Sequence, residues 1–153
     1  MFVDRIMRLD PGAAIEVVRN VSASEDVFDD HFPGVPLLPG ALLVEAFEQA
    51  TQLLVAVTHD FARVGRLERV SRASFRRFVR PGDQVRVACR RKDAADDRWT
   101  VAATATVGAE TVATAVLELA LVTDDPGFAD RLRRLHRTLT VDPLRLAGLE
   151  ELA

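Results

Sequence analysis

His31-Phe32-Pro33-Gly34-Val35-Pro36-Leu37-Leu38-Pro39-Gly40, followed without a break by Ala41-Leu42-Leu43-Val44-Glu45-Ala46-Phe47-Glu48-Gln49-Ala50, is the stretch on which the reading of this chain turns. Its first half holds three prolines and two glycines in ten residues, too many breakers for regular structure. Its second half opens an apolar run to about Val57 that reads as a helix. Pro39 suits its first turn, where a proline gives up only an N–H that would lack a partner. Ala41, Leu42, Leu43, Val44, Ala46, Phe47, Ala50, Leu53, Leu54, Val55 and Val57 cover most of the circumference, which describes a helix buried on nearly every side. At about 100° per residue, Glu45, Glu48, Gln49 and Gln52 fall in one narrow sector and form a single polar seam.

Working outward, residues 2–8 and 14–21 read as strands around the turn signal Asp10-Pro11-Gly12. An acidic loop with Glu25, Asp26, Asp29 and Asp30 follows, and the whole of 22–39 is expected to be irregular. After a loop at 58–65, alternating patterns return at 67–79, 84–90, 98–107 and 111–122. Pro81-Gly82-Asp83, the acidic run 93–97 and the tight Gly108-Ala109 connection separate them. Two strands, one buried helix and four more antiparallel strands predict an α+β fold in which one sheet wraps around one central helix. Residues 126–139 place Phe128, Leu132, Leu135 and Leu139 on one helical face, with Arg131, Arg133, Arg134 and Arg137 around the rest, so this tail helix is expected to dock on the domain. The organisation read here is one domain over 1–124 and a C-terminal helical extension over 125–153.

Composition narrows the function classes. With 153 residues, 48% of them hydrophobic, the chain is long enough for one sizeable core and short for two ordinary domains. The single cysteine, Cys89, has no intrachain partner and reads as a small buried hydrophobe. The net charge of -3 hides an asymmetry: residues 63–92 carry eleven basic side chains against only Glu68 and Asp83. Such a band is either a solvated face or the complement of an acidic protein or phosphate-bearing ligand. Nucleic acid is a poor match, because the band holds only two aromatics, Phe75 and Phe78, and no nucleic-acid-binding motif accompanies it. The N-terminus is charged by Asp4 and no uncharged apolar run reaches the roughly 20 residues of a membrane span, so a cytoplasmic protein away from membranes is expected. No metal-ligand cluster, Gly-rich phosphate loop or nucleophile elbow is present, and His59 and His136 read as a loop residue and a tail-helix residue. Cofactor-free chemistry is the expectation.

His31 and Glu45 then stand out as a base and an acid. An imidazole titrating near neutrality takes a proton at physiological pH, and a carboxyl in an apolar wall, here expected from Val44 and Phe47, stays protonated long enough to give one. One proton taken and one given on neighbouring carbons is the chemistry of dehydration.

The run His-Phe-Pro-Gly-x-Pro-x-x-Pro-Gly with the Leu43 to Ala50 segment strongly resembles the hotdog-fold 3-hydroxyacyl-(acyl carrier protein) dehydratases of the FabA/FabZ type. Val3-Asp4-Arg5-Ile6 with Leu9-Asp10-Pro11-Gly12 is similar to that family's opening hairpin. Ser74-Phe75-Arg76-Arg77-Phe78-Val79-Arg80-Pro81-Gly82-Asp83-Gln84 is similar to its strand and turn after the helix. The resemblance implies a 3-hydroxyacyl thioester on the phosphopantetheine of acyl carrier protein, dehydrated to the trans-2-enoyl thioester. His31 would take the C2 proton, Glu45 would protonate the leaving hydroxyl, and the Gly40 N–H would polarise the thioester carbonyl. Leu37, through its carbonyl, and Gln49 would hold the two catalytic groups, Phe32 and Pro39 would wall the acyl tunnel, and Arg72, Arg76, Arg77 and Arg80 would dock the carrier protein. It also implies a dimer whose sheets lie side by side, each site taking its histidine from one chain and its acid from the other. The assembly expected is a homodimer or higher even oligomer, or a heterodimer with a paralogue. Glutamate at position 45 is similar to the FabZ branch, which implies dehydration without isomerisation. Nineteen arginines against one lysine match a GC-rich genome, in which such an enzyme serves fatty-acid synthesis or polyketide and polyene assembly. Two rival functions stay open: a hotdog thioesterase, which would not need His31, and a non-catalytic carrier-binding subunit.

Overall fold

The computed structural model describes residues 2–30, 34–93, 95–123 and 125–140. In chain order the elements are β1 (Arg5–Asp10), β2 (Ala14–Asn20), α1 (Val27–Asp30), α2 (Gly40–Thr58), β3 (Val64–Phe75), β4 (Gln84–Arg91), β5 (Arg98–Val107), β6 (Glu110–Val122) and α3 (Pro126–Leu139). The strands make one antiparallel sheet in the order β1-β2-β4-β5-β6-β3, and it wraps around α2. This is the α+β hotdog arrangement that the sequence predicted.

Alternation explains the sheet. Val85, Val87 and Cys89 on β4, Trp99 and Val101 on β5, and Leu117, Leu119 and Leu121 on β6 are all buried in the common core, while the residues between them face outward. Ala103 pairs with Ala115 and Ala105 with Ala113 across β5 and β6. These four small side chains leave a shallow floor on which α2 rests. The helix fills it with Leu43, Ala46, Phe47, Ala50, Leu53, Leu54, Val55 and Ala56, each Leu or Phe contributing about 1.5–3 kcal/mol by leaving water. Gly65 on β3 permits the same closeness, since a Cβ there would lie 2.9 Å from Leu119 Cδ2.

The structure departs from the sequence reading at several points. Residues 22–30 are not wholly irregular: one helical turn, α1, forms where Phe28 reaches the core and its N–H donates to the Glu25 carbonyl at 3.1 Å. Strand β1 begins at Arg5, and β3 runs Val64–Phe75, shifted toward the helix relative to the expected 67–79. Val79 is instead a buried loop residue whose carbonyl accepts from the Leu38 N–H at 2.8 Å. Pro39 is the N-cap of α2, one position before its first turn.

Helix α3 docks through Ala129, Leu132 and Leu139, all buried, against α2 and β1. Asp125 caps it by accepting from the Phe128 N–H at 3.0 Å, and Arg137 lies in its last turn, where cations are favoured. Its apolar face is therefore occupied by the domain. By length and composition α2 would also pass for a membrane span, yet here it is the core helix.

Candidate active site

The site is built at the N-terminal end of α2. Pro39 supplies no side-chain cap, and the first turn holds no acidic residue. The leading N–H groups, Gly40 among them, therefore keep the positive end of the helix dipole unneutralised. Gly40 lines an apolar groove of about 330 Å³ together with Leu37, Leu38, Pro39, Leu43, Phe75, Arg77, Phe78 and Val79. The Phe75 ring lies so close over Gly40 that a Cβ there would sit 2.8 Å from its Cε1 atom. The aromatic rim is left in the open, Phe75 being 51% exposed and Phe78 67%.

Five residues further along α2, Glu45 is exposed, and Glu48, Gln49 and Gln52 beside it are half-buried. The polar seam is thus real, and Glu45 is its exposed member in the single chain. Phe47 is fully buried in the core, so it does not supply the apolar wall expected around the Glu45 carboxyl. Gln52 Nε2 donates to Glu48 Oε1 at 2.8 Å. Burial, and secondarily the neighbouring Glu45 charge, pushes the Glu48 carboxyl above its ordinary range. The Gln49 Oε1 accepts the N–H of Phe2 at 2.9 Å and of Val3 at 3.1 Å.

His31 and Phe32 lie outside the described residues. Leu37, Pro39 and Gly40 gather at the groove, with Glu45 on the open face of the same helix. Arg72 is exposed on β3, and Arg76, Arg77 and Arg80 are exposed on the segment that follows it. Arg77 lines the groove and also pairs with Glu110. The outer edge of β3, twelve residues long, has no strand partner among the described residues. No group of three or more His, Cys, Asp or Glu side chains that could hold a metal occurs among them either. Cys89 is fully buried, its Sγ 3.7 Å from the Phe47 carbonyl, and burial pushes its thiol up to about 12.

Two residues carry more than the sequence reading assigned them. His59 is the C-cap of α2 and packs on Trp99 at 5.8 Å between ring centroids. Burial first, then Arg63 and Arg91, hold its imidazole below the usual histidine range. Arg19 is buried at 4% exposure, in an ion pair with Glu25 at 2.6 Å. Each depends on partners distant in sequence or on burial, which no local pattern announces.

A sheet wrapped around one helix, with a groove at the helix N-terminus, defines the hotdog class. Solved structures similar in fold include a Streptococcus mutans protein bound to acetyl CoA, with a TM-score of 0.64 and 15% identity over 78% of this chain and 88% of that one. Another is an uncharacterised Pyrococcus horikoshii protein, TM-score 0.66 and 15% identity over 82% of this chain and 88% of that one. At such identities they establish the fold alone. Residues 1–116 match the FabA-like domain. The chain is 38% identical over 109 residues to the 3-hydroxyacyl-(acyl-carrier-protein) dehydratase FabZ of Lactiplantibacillus plantarum, covering 71% of this chain and 74% of that one. It is 33% identical over 126 residues to the FabZ of Levilactobacillus brevis, covering 82% and 85%. The chain belongs to the FabA-like family.

Proposed function

We propose that this protein is a hydro-lyase that removes water from a 3-hydroxyacyl thioester carried by acyl carrier protein, giving the trans-2-enoyl thioester in fatty-acid synthesis. The observation that carries the reading is the uncapped N-terminus of α2 at an apolar groove, with the exposed Glu45 on the same helix. A thioester carbonyl seated at the Gly40 N–H would be polarised by the helix dipole, which acidifies the C2 proton. His31 takes that proton, the C2–H electrons form the C2=C3 bond, and the C3–O bond breaks. Glu45 gives its proton to the departing hydroxyl, which leaves as water. The Leu37 carbonyl fixes the imidazole tautomer. No resident metal or cofactor takes part, and phosphopantetheine enters with the substrate.

The open β3 edge supports an assembly in which two sheets meet side by side, so that His31 of one copy faces Glu45 of another. Such a partner would cover the polar seam and bring the carboxyl the apolar wall that Phe47 does not. Phe32 and Pro39 wall the acyl chain. Arg72, Arg76, Arg77 and Arg80 receive the acidic carrier protein, and the enzyme works in the cytoplasm. Residues 1–124 form the catalytic unit and 125–153 an extension of it. Incubation with 3-hydroxyacyl carrier protein, followed by mass, tests the reading. Loss of one water supports dehydration, release of the free acid would make the protein a thioesterase, and an unchanged thioester would leave it a carrier-binding subunit.

A further inference from the structure

Arg19 is the one buried charged side chain among the described residues. Its partner Glu25 is partly exposed, and an ion pair taken this far out of water adds little net stability over an apolar pair of the same size, so its value lies in the backbone it fixes. Arg19 Nη2 meets Glu25 Oε2 at 2.6 Å, while Glu25 Oε1 accepts the Ser22 N–H at 3.1 Å. The Glu25 carbonyl accepts the Phe28 N–H, which starts α1, and α1 ends at Asp30, next in sequence to His31. On its other side the Arg19 guanidinium lies 5.4 Å from the Phe2 ring centroid. Phe2 and Val3 are strapped by their N–H groups to Gln49, one turn past Glu45. One buried cation thus touches both the turn that leads to the base and the segment tied to the helix that carries the acid.

We propose that Arg19 is a positioning residue, held between Glu25 and Phe2, that sets α1, the turn preceding His31 in sequence, relative to α2. The role in turnover rests on the reading of His31 as the base. The placement of α1 does not.

The test compares Arg19→Met, Arg19→Lys and the double variant Arg19→Met/Glu25→Gln in the full chain. The double variant leaves no orphaned charge, and the glutamine still accepts from Ser22, so its melting temperature is expected close to the parent. Its kcat on 3-hydroxyacyl carrier protein is expected to stay at least about tenfold down, with KM within about threefold, because misplacement of a base costs turnover more than binding. Arg19→Lys, which keeps a cation for both Glu25 and the Phe2 ring, is expected to hold kcat within about threefold of the parent. In the double variant, amide hydrogen exchange over residues 26–30 and 34–38 accelerates at least about tenfold while α2 and β5 keep parental rates. Unchanged exchange in that segment, or kcat that recovers together with the melting temperature, overturns the proposal. A parent protein without dehydratase turnover would overturn the proposed function instead, and the exchange measurement would still decide whether Arg19 places α1.

Discussion

At its C-terminal end α2 is tied to its surroundings by several contacts. Thr58 Oγ1 bonds the Leu54 carbonyl at 2.6 Å and accepts the Gly12 N–H at 2.7 Å, which ties the β1–β2 turn to the helix. His59 packs on Trp99, whose other neighbour is the Arg91 guanidinium, 4.2 Å from the ring centroid. Asp60 and Phe61 take left-handed conformations at φ 50° and 61°. Those conformations cost side-chain-bearing residues about 1–2 kcal/mol each. The Phe61 N–H recovers part of this by reaching the Ala56 carbonyl at 2.6 Å. The ring then sits between Arg133 at 4.9 Å and His136 at 6.0 Å on α3. At the N-terminal end the same helix has no side-chain cap, a half-exposed phenylalanine over Gly40 and an open groove. One end spends its contacts on stability. The other leaves N–H groups, an aromatic rim and a carboxyl free for a ligand.

That contrast is open to direct attack. The largest expected effect is at the open end: His31→Ala and Glu45→Gln should each lower kcat by about 10²–10⁴-fold, the usual contribution of a general base or acid, with melting temperature and oligomeric state unchanged. A variant that kept turnover would remove that residue from the mechanism. At the closed end, Trp99→Ala should cost about 3–5 kcal/mol in a denaturant titration, while KM of whatever protein remains folded stays near the parent value. If KM moved as much as stability, the two ends would not be separate.

Gly40→Ala sharpens the comparison, because alanine is the better helix former yet its Cβ would displace the Phe75 ring. It should lower kcat/KM by about tenfold to a hundredfold through that displacement and leave the melting temperature near the parent, since Phe75 is half-exposed and free to turn away. A loss of stability equal to a core substitution would contradict this account.

The pH response belongs to the closed end. Burial lowers both the His59 and His136 pKa values in the folded protein, below an ordinary value of 6.5. The unfolded chain therefore takes up these protons first. The stability is whole above pH 6.5 and declines as pH falls from there toward the folded-state values. Denaturation midpoints at about pH 7.5 and about pH 5.5 should differ in that sense, and the double variant His59→Gln/His136→Gln should flatten the difference. An identical slope in the variant would place the acid sensitivity elsewhere. The smallest effect concerns the exposed arginines near the groove. Carrier-protein affinity should weaken by roughly threefold to tenfold between about 0.05 and about 0.3 M salt, with Arg76→Ala reducing that dependence. Salt-independent binding would detach the basic band from docking.

How much of this was legible follows from the range of the interactions. The strand Arg98–Val107 and the helix Pro126–Leu139 have the bounds the sequence predicted, because period and turn chemistry are local signals. The helix α1 was missed because it is one turn long and exists to seat Phe28 in a core made by other elements. The Gln49 amide oxygen receives two N–H groups from 46 and 47 residues away, partners that no local pattern announces. Glu45 was expected in an apolar wall, and in one chain it faces outward.

By itself the order of residues determined that one helix would be apolar nearly all round with a single polar stripe, that strands would flank it, and that an imidazole and a carboxyl would be carried fourteen residues apart on a proline-rich loop and that helix. Those properties depend on backbone chemistry and side-chain period over a few residues. Only the tertiary structure decided which end of the helix is sealed and which is open, that Arg19 is buried against Glu25 and Phe2, and that α3 closes over Phe61. Apart from the Arg19–Glu25 pair, six residues apart, these outcomes are contacts between segments well separated in the chain, and their energies exist only once the sheet has closed around the helix and water has left the space between them.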